Sequence, residues 1–167
     1  MSKFEKVSFE QWKKDSGFSD MPESMLREWY DAIKLPQQAT KASAGCDFCM
    51  PFNLNFEAGS TFRVPSGIRW TCDDSDQRKV LLVVPRSGLG FKYGIRLSNT
   101  VGVIDADYCN SDNEGHIIIS LVNPSDKDIE LEQGKPFAQG IVVNYEIPDG
   151  AESDAERNGG FGSTDKK

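Results

Sequence analysis

One aspartate, one basic turn and one glycine-rich tail carry the residue types of a phosphate-cleaving site. Asp105 directly follows the apolar pair Val103-Ile104, and a carboxylate fixed at the end of a buried strand can act as a base for water. The turn Arg86-Ser87-Gly88 offers forked donors, a hydroxyl and accessible backbone N–H groups to an anion. Phe161 is an isolated aromatic in a glycine-rich tail. Each signal is weak alone, but together they favour a nucleotide hydrolase: parts that activate one water, hold a polyphosphate and cover a flat ring.

The length and charge of the chain are those of one acidic globular domain. Its 167 residues can bury one sizeable core. The formal net charge of −7 argues against nucleic acid as a partner, because binding that polymer needs a basic surface. No apolar run approaches the roughly 18 residues that span a bilayer, and the N-terminus lacks the apolar segment of a signal peptide. We therefore predict a cytoplasmic protein with no nucleic-acid and no membrane partner.

Two of the four cysteines, Cys46 and Cys49, have CxxC spacing. A zinc site would need two further ligands at close spacing, and the remaining candidates stand singly along the chain: Cys72, Cys109 and His116. In a strand, positions i and i+3 point to opposite faces, so the pair would not share a ligand. We expect reduced, structural cysteines.

Residues 1–33 are predicted to form a helical extension. Ser8 and Gln11 have the spacing of a capping box, and Pro22 suits the first turn of a second helix. Apolar side chains then recur at helical spacing: Met25, Leu26, Trp29, Tyr30 and Ile33. We interpret the segment as helices packed on the body of the protein; the alternative is a contact with an oligomer or another partner.

Residues 34–147 change to short apolar runs separated by turn residues. The run at 80–84 is continuous and ends at Pro85, as expected of a strand buried on both faces. Further strands are predicted at 62–64, 101–104, 117–122, 129–131 and 137–145. Many short strands with Gly, Pro, Asn and Asp between them predict an all-β sandwich or small barrel. Apolar residues nearly vanish at 148–167, which we predict to be a mobile arm.

Five ordered segments resemble the motifs of the trimeric dUTP pyrophosphatases (dUTPases). They lie at 43–48, 85–90, 99–108, 134–139 and 157–164, so the resemblance runs from about residue 33 to residue 164. It implies a jelly-roll β-barrel or sandwich that forms a homotrimer, with sites at subunit junctions and the 148–167 arm closing over a neighbour's site. It also implies hydrolysis of dUTP to dUMP and pyrophosphate with Mg²⁺, which lowers dUTP and supplies dUMP for thymidylate synthesis.

The resemblance implies a role for each matching residue. Asp105 matches the aspartate that activates the water attacking the α-phosphorus, and Tyr108 the tyrosine whose ring packs on the deoxyribose and excludes a 2′-hydroxyl. Asp47 matches an acid that contacts the metal through water. The remaining matches form three groups of substrate contacts: for phosphate Arg86, Ser87, Gly88 and Gln139; for uracil, on a hairpin, Asn99, Val103, Ile104 and Ile118; and in the arm Arg157, Phe161, Gly162, Ser163 and Thr164. In that arm, Phe161 would stack on uracil while the polar residues hold the γ-phosphate.

The sequence departs from the dUTPase pattern at a few places. Segment 109–114 is longer than the usual turn after Tyr108; we expect a longer hairpin tip that is a tolerated surface loop, and the alternative is a partner-binding or site-tuning element. Pro136 stands where arginine is common, and Asp165 where glycine is common. A phosphate contact that arginine would supply at position 136 must here come from another residue. Asp165 makes the part of the site that would bind the γ-phosphate more negative. Phe48 replaces leucine conservatively.

Two other functions stay open at this point. One is a regulatory protein that uses the dUTPase body as a scaffold and binds a protein partner through the 109–114 segment or the N-terminal helices. The other is a dCTP deaminase relative. It is disfavoured because the Asp105 and Tyr108 pair and the Phe161 arm belong to the dUTPase pattern, and because deamination needs a differently placed acid.

Overall fold

The computed structural model describes residues 1–73 and 78–153, which fold mainly as antiparallel β-strands. The strands are β1 Ser2–Lys6, β2 Gln37–Gln38, β3 Cys46–Cys49, β4 Leu54–Phe56, β5 Thr61–Pro65, β6 Ile68–Cys72, β7 Lys79–Pro85, β8 Arg96–Leu97, β9 Gly102–Asp105, β10 Ile118–Val122, β11 Ile129–Leu131 and β12 Pro136–Asn144. The helices are α1 Phe9–Ser16, α2 Glu23–Ala32 and α3 Ser87–Tyr93, and a 3₁₀ turn covers Ala106–Asn110. The predicted all-β, jelly-roll-like fold is confirmed.

The largest sheet has five strands in the order β2-β3-β12-β7-β9. A second sheet has the order β5-β10-β8, and two pairs, β1 with β6 and β4 with β11, complete the described β structure. Every adjacent pair is antiparallel. β7 is central for the site, because it pairs with β12 on one side and with β9 on the other.

Aromatic side chains dominate the core, which the N-terminal helices share. The largest fully buried side chains include Trp12, Trp70, Phe48, Phe52, Phe56 and Phe137. Trp12 of α1 and Leu26 of α2 are completely inaccessible, and the Trp12 indole N–H donates to the Pro65 carbonyl at 2.9 Å. Burying one such side chain contributes about 1.5–3 kcal/mol. Both helices therefore pack on the β body, as predicted, while the domain boundaries at 33/34 and 147/148 stay a prediction.

The N-terminal prediction was wrong in two details. Residues 2–6 are not helical: β1 pairs with β6, placing Phe4 opposite Trp70. Alternation of Phe4 with Lys3 and Glu5 suits a strand that turns one face to the core, and the Phe4 ring meets Phe48 edge-on at 5.6 Å. Pro22 precedes α2 as its cap rather than lying in its first turn.

β7 is buried on one face only, whereas the sequence predicted burial on both. Leu81 and Val83 are buried, and the alternate residues Val80, Leu82 and Val84 are partly exposed. Only one face of the sheet packs against the rest of the described chain. The apolar run therefore leaves an outward face uncovered in a single subunit.

Two predicted turns also have different structures. The Arg86-Ser87-Gly88 segment opens a helix, α3, which ends at Gly94 in the left-handed conformation (φ 71°). Segment 109–114 is not a hairpin tip, because β9 pairs with β7 while β10 pairs with β5 and β8. Nor is it a plain surface loop: Ser111 is buried, and the segment is bonded to α1. Within residues 1–73 and 78–153, no helix has the length and apolar character needed to cross a membrane.

Candidate active site

A cavity of about 390 Å³ lies beside β9 and β10. Its wall contains four residues predicted for uracil recognition: Asn99, Val103, Ile104 and Ile118. This volume suits a small organic ligand, and the wall is largely apolar, as such sites are. The sequence analysis missed three polar residues of the same wall, Arg63, Ser98 and Ser120. Arg63 and Ser120 are polar positions of alternating strands, and Ser98 directly follows β8. Such polar positions alone do not distinguish a binding site from a solvent-exposed face.

The turn that leads into β9 shapes this cavity. Thr100 has a left-handed backbone (φ 67°), and its N–H donates to the Leu97 carbonyl at 3.1 Å. At Gly102, a Cβ would lie 3.2 Å from the Cβ of Val83, so glycine lets β9 approach β7 closely. Val103 follows with 60% of its surface exposed. The chain thus presents an apolar residue and strand backbone at the cavity instead of burying them.

A second group of predicted residues meets at the far end of the same sheet. Asp47 of β3 lies opposite Gln139 of β12, and the Arg86 guanidinium donates through Nη1 to Oδ2 of Asp47 at 2.8 Å. The amide oxygen of Gln139 lies against Gly45, where a Cβ would approach it to 2.5 Å. The Asp47 side chain is only 15% exposed and that of Arg86 37% exposed. The residues predicted for metal and phosphate binding are therefore together.

Ser87 and Gly88 extend this second group. Both are exposed at the first turn of α3, directly after Arg86. First-turn N–H groups of a helix lack intrahelical acceptors and are available to anions. Their position next to an arginine is consistent with the phosphate contacts predicted for them.

Asp105 lies apart from the phosphate residues within one chain. It pairs with Val80, whereas Arg86 follows Pro85 at the other end of β7. Val80 and Pro85 are five residues apart along β7, which corresponds to roughly 17 Å. Asp105 is also exposed, so the predicted partial desolvation is wrong for a single subunit. Asp105 and Val103 nevertheless lie on the sheet face that also carries the second group, because directly paired and alternate residues share a face.

Tyr108 occupies a buried position in the 3₁₀ turn after β9. Only 7% of its surface is exposed, and its hydroxyl donates to the His116 carbonyl at 3.2 Å while accepting from the Asn113 amide at 3.0 Å. The lining of the cavity, as formed by the described residues, does not include it. Its contact with a sugar stays a prediction.

Comparisons of the sequence and the fold with known proteins identify the family of this chain. The sequence model of the dUTPase family matches residues 31–165. The chain belongs to the dUTPase family. A gamma-proteobacterial deoxyuridine 5′-triphosphate nucleotidohydrolase is 39% identical over 139 residues, covering 79% of this chain and 95% of that protein. The crystal structure of the dUTPase from Streptococcus mutans has 30% identity and a TM-score of 0.66, covering 89% and 99% of the two chains. A mutant dUTPase from phage phi11 of S. aureus, described for its coordination of a structural Mg(II) ion, shares the fold with 14% identity, a TM-score of 0.63 and coverage of 93% and 97%.

Asp47 is the carboxylate of the second group that could take part in holding a metal ion. Among residues 1–73 and 78–153, no three His, Cys, Asp or Glu side chains come together as a protein-only metal site requires. Mg²⁺ typically keeps several waters and takes one or two carboxylates together with substrate phosphates. Asp47 fits this mode, because Arg86 engages Oδ2 and leaves Oδ1 for a metal-bound water.

No disulfide joins the four cysteines of this dUTPase, all of which lie among the described residues. Cys46 and Cys49 lie at the two ends of strand β3. Burial raises the pKa of both thiols, and the charge of Asp47 raises it further. Neutral thiols are poor metal ligands, in line with the predicted structural role.

The fifth dUTPase motif lies outside the described residues. Its predicted contacts are Arg157, Phe161, Gly162, Ser163 and Thr164, and they stay predictions. The match of the family model extends through these positions.

Proposed function

We propose that the protein hydrolyses dUTP to dUMP and pyrophosphate as a homotrimer with Mg²⁺. The observation that carries the proposal is that the predicted residues meet in two groups along one five-stranded sheet: the cavity beside β9, with Asn99, Val103 and Ile118 in its wall, and the cluster of Asp47 with Arg86 at the far end. Val103 and Asp105 lie on the same face of this sheet as Asp47. Family membership supports the same substrate. Neither a dCTP deaminase nor a regulatory protein partner is favoured by any of these observations, and a cytoplasmic location stays a prediction from the sequence.

The cavity on β9 would select the base. Backbone groups around Val103 and Ile118 would pair with the uracil edge, and cytosine would leave those groups unsatisfied in a desolvated site. The ring of Tyr108 would pack on the deoxyribose and leave no room for a 2′-hydroxyl. Discrimination would thus come from unmet hydrogen bonds for the base and from shape for the sugar.

The Asp47 and Arg86 cluster would hold the triphosphate. Phosphate oxygens are forked acceptors like the Asp47 carboxylate, so the guanidinium can turn from one to the other. Ser87, Gly88 and Gln139 would add donors around the chain of phosphates. Mg²⁺ would supply charge neutralisation there, with Asp47 holding it through water.

Asp105 would take a proton from the water that attacks the α-phosphorus in line with the departing pyrophosphate. Asp105 is exposed to bulk water in a single subunit, and another surface would enclose the site when substrate is bound. The roughly 17 Å between Asp105 and the phosphate group along β7 means that a neighbouring subunit would bring its own phosphate group to this carboxylate. The partly exposed apolar face of β7 supports such a contact. The arm with Phe161 would complete the enclosure.

Pyrophosphate release from dUTP tests the proposal. We expect turnover by the wild type and a loss of about 10²- to 10⁴-fold in Asp105→Asn, the usual contribution of a positioned base. Asp126→Asn removes the same charge from an exposed turn and should leave the rate unchanged. Equal activity of Asp105→Asn and the wild type would refute the mechanism. An inactive wild type would refute the function.

A further inference from the structure

Helix α1 is fastened to the segment that follows Tyr108. The Glu114 carboxylate accepts from both the backbone N–H and the hydroxyl of Ser8, at 2.7 and 2.6 Å. These bonds lower the pKa of Glu114. Ser8 also caps α1 by accepting from the Gln11 N–H at 3.1 Å. In a capping box the residue at Gln11 would reach back to Ser8, but Gln11 bonds Asp15 instead. The box predicted from sequence is thus completed by a residue 106 positions away.

Backbone strain at Glu114 indicates that this contact is held by its surroundings. Its φ of 58° lies in the left-handed region, which is costly for a residue with a side chain. Gly115 follows with φ 71°, and a Cβ there would lie 2.5 Å from the Cα of Cys109. The two residues turn the chain tightly against the 3₁₀ turn that carries Tyr108.

A second link runs through the buried histidine of the same segment. His116 has no exposed surface, its Nδ1 lies 2.6 Å from Oδ2 of Asp15 in α1, and its Nε2 accepts from the Gly67 N–H at 2.9 Å. Because Nε2 is an acceptor, the proton of the neutral ring must be on Nδ1, facing Asp15. The ring is therefore held on both sides, by α1 and by the turn between β5 and β6.

The segment that carries both links also bonds the Tyr108 hydroxyl. The His116 carbonyl accepts from it, and the Asn113 amide donates to it at 3.0 Å and to the same carbonyl at 3.2 Å. Asn113 is itself fixed, because its Oδ1 accepts from the Gly115 N–H at 3.2 Å. The hydroxyl has a donor and an acceptor in fixed positions, so the ring cannot rotate about its Cα–Cβ bond without losing both bonds.

We propose that Asn113 and His116 are positioning residues for Tyr108, and that the N-terminal helix α1 and the 109–116 segment together set the selectivity between deoxyribose and ribose. The inference rests on the proposed function, in which the Tyr108 ring rejects the 2′-hydroxyl. A ring that rejects one oxygen atom must be held to a fraction of an ångström, and a buried tyrosine held only by apolar contacts has no directional restraint. The Asn113 amide and the His116 carbonyl supply that restraint, and the contacts with α1 hold the segment that carries them.

The test compares kcat/KM for UTP and for dUTP in the full-length protein. Asn113→Asp keeps an oxygen for the Gly115 N–H but removes the donor to Tyr108. We expect the UTP-to-dUTP ratio to rise roughly 3- to 10-fold, the usual effect of one hydrogen bond, through a lower KM for UTP. Asn110→Ala, at an exposed position of the same segment, is the matched control and should leave the ratio unchanged. Glu114→Ala, which touches Ser8 but not Tyr108, should raise the ratio less.

Combination with Tyr108→Phe distinguishes positioning from a general loss of stability. Tyr108→Phe alone should raise the ratio, and adding Asn113→Asp should raise it no further, because the hydroxyl through which Asn113 acts is already gone. An unchanged ratio in Tyr108→Phe, or additive effects in the double variant, would overturn the inference, and Tyr108→Phe carries the test alone if Asn113→Asp does not fold. A wild type that hydrolyses dUTP and UTP equally would instead contradict the sugar role of Tyr108 itself.

Discussion

The cavity beside β9 and the cluster of Asp47 with Arg86 differ in what a single chain completes. The cavity already has its wall, and Tyr108, which lies outside that wall, is held through Asn113 and His116. In the cluster, by contrast, the Arg86 guanidinium and the Asp47 carboxylate bond each other at 2.8 Å. The cavity is open to a ligand in a single chain, whereas phosphate binding at the cluster competes with Asp47 for the Arg86 guanidinium.

This difference indicates that base and sugar recognition needs fixed atoms, whereas phosphate binding can tolerate rearrangement. Reading a base and a sugar depends on atoms fixed before binding, since a loose group gives no discrimination. Holding phosphates depends on charge and can tolerate rearrangement, because an arginine fork fits a carboxylate and a phosphate alike. The two halves are separated by the length of β7, so different subunits can each contribute one of them.

Mixing two inactive variants gives the largest expected effect. Asp105→Asn damages the half near β9 and Arg86→Ala the phosphate half. If each site combines halves from different chains, random trimers made from equal amounts have one half times one half of their sites intact, so roughly a quarter of wild-type activity should return. Pyrophosphate release after joint refolding measures it.

The outcome separates the two assemblies sharply. If both halves of a site came from one chain, every chain in the mixture would carry a lesion and activity would stay at the level of the separate variants. A double variant with both changes in one chain, mixed with either single variant, is the control that should not recover.

Arg86→Lys should have the next largest effect. Lysine keeps the charge but not the fork, so kcat/KM for dUTP should fall roughly 10- to 100-fold, the range for one hydrogen bond to a charged group. Stability should change by no more than about 1 kcal/mol, because the pair is partly exposed to solvent. Steady-state kinetics and urea unfolding measure the two quantities.

Arg69→Lys is the matched control for that change. Arg69 forms a similar pair with Glu5, through Nε at 3.1 Å and Nη2 at 2.8 Å, between β6 and β1. Arg69→Lys should lose no more stability than Arg86→Lys and should keep full activity. A loss of activity in both variants would mean that Arg86 acts through the fold rather than through phosphate.

The cavity residues and Asp47 were predicted from the resemblance to the dUTPase motifs, whereas Asp105 and the Arg86-Ser87-Gly88 turn also follow from local patterns. A polar residue at a strand end keeps its position whatever packs around it, as with Asp105 at the end of β9. Burial was harder to predict: the apolar run of β7 has the same pattern whether a second layer of the same chain or another subunit covers it. The contacts of Glu114 with Ser8 and of His116 with Asp15 join residues about a hundred positions apart, and no local pattern contains them. The one available signal was that His116 is the only histidine in the chain.

His116 makes the restraint on Tyr108 sensitive to acid. Burial lowers the pKa of His116 despite the opposing influence of Asp15 in α1 and Glu114 in its own segment. An unfolded chain takes up this proton below about pH 6.5, whereas the folded chain does not until lower pH. Stability is therefore complete above that value and falls as the pH decreases, by up to about 1.4 kcal/mol per pH unit.

Urea unfolding at about pH 7.5 and about pH 5.5 measures this slope. Because no other histidine is present and ordinary carboxylates titrate at lower pH, most of the change in this interval should come from His116, with a smaller part from the α-amino group that pairs with Asp73. His116→Gln should be less stable throughout but nearly independent of pH across the interval. An equal slope in that variant would assign the acid sensitivity to another group.

The smallest effect is expected at Val103, an exposed apolar residue of the cavity wall. Val103→Thr keeps the shape of the side chain and exchanges a methyl group for a hydroxyl at a position that is 60% exposed. If strand backbone reads the base, kcat/KM should stay within about twofold, the equivalent of the roughly 0.5 kcal/mol typical of surface changes. Ile104→Thr, one residue on but facing the interior with 9% exposure, should instead lower stability by about 1–3 kcal/mol through its buried hydroxyl. A tenfold loss of activity in Val103→Thr with unchanged stability would show that the side chain itself contacts the base, and the preformed half of the site would then depend on sequence at this position rather than on backbone geometry.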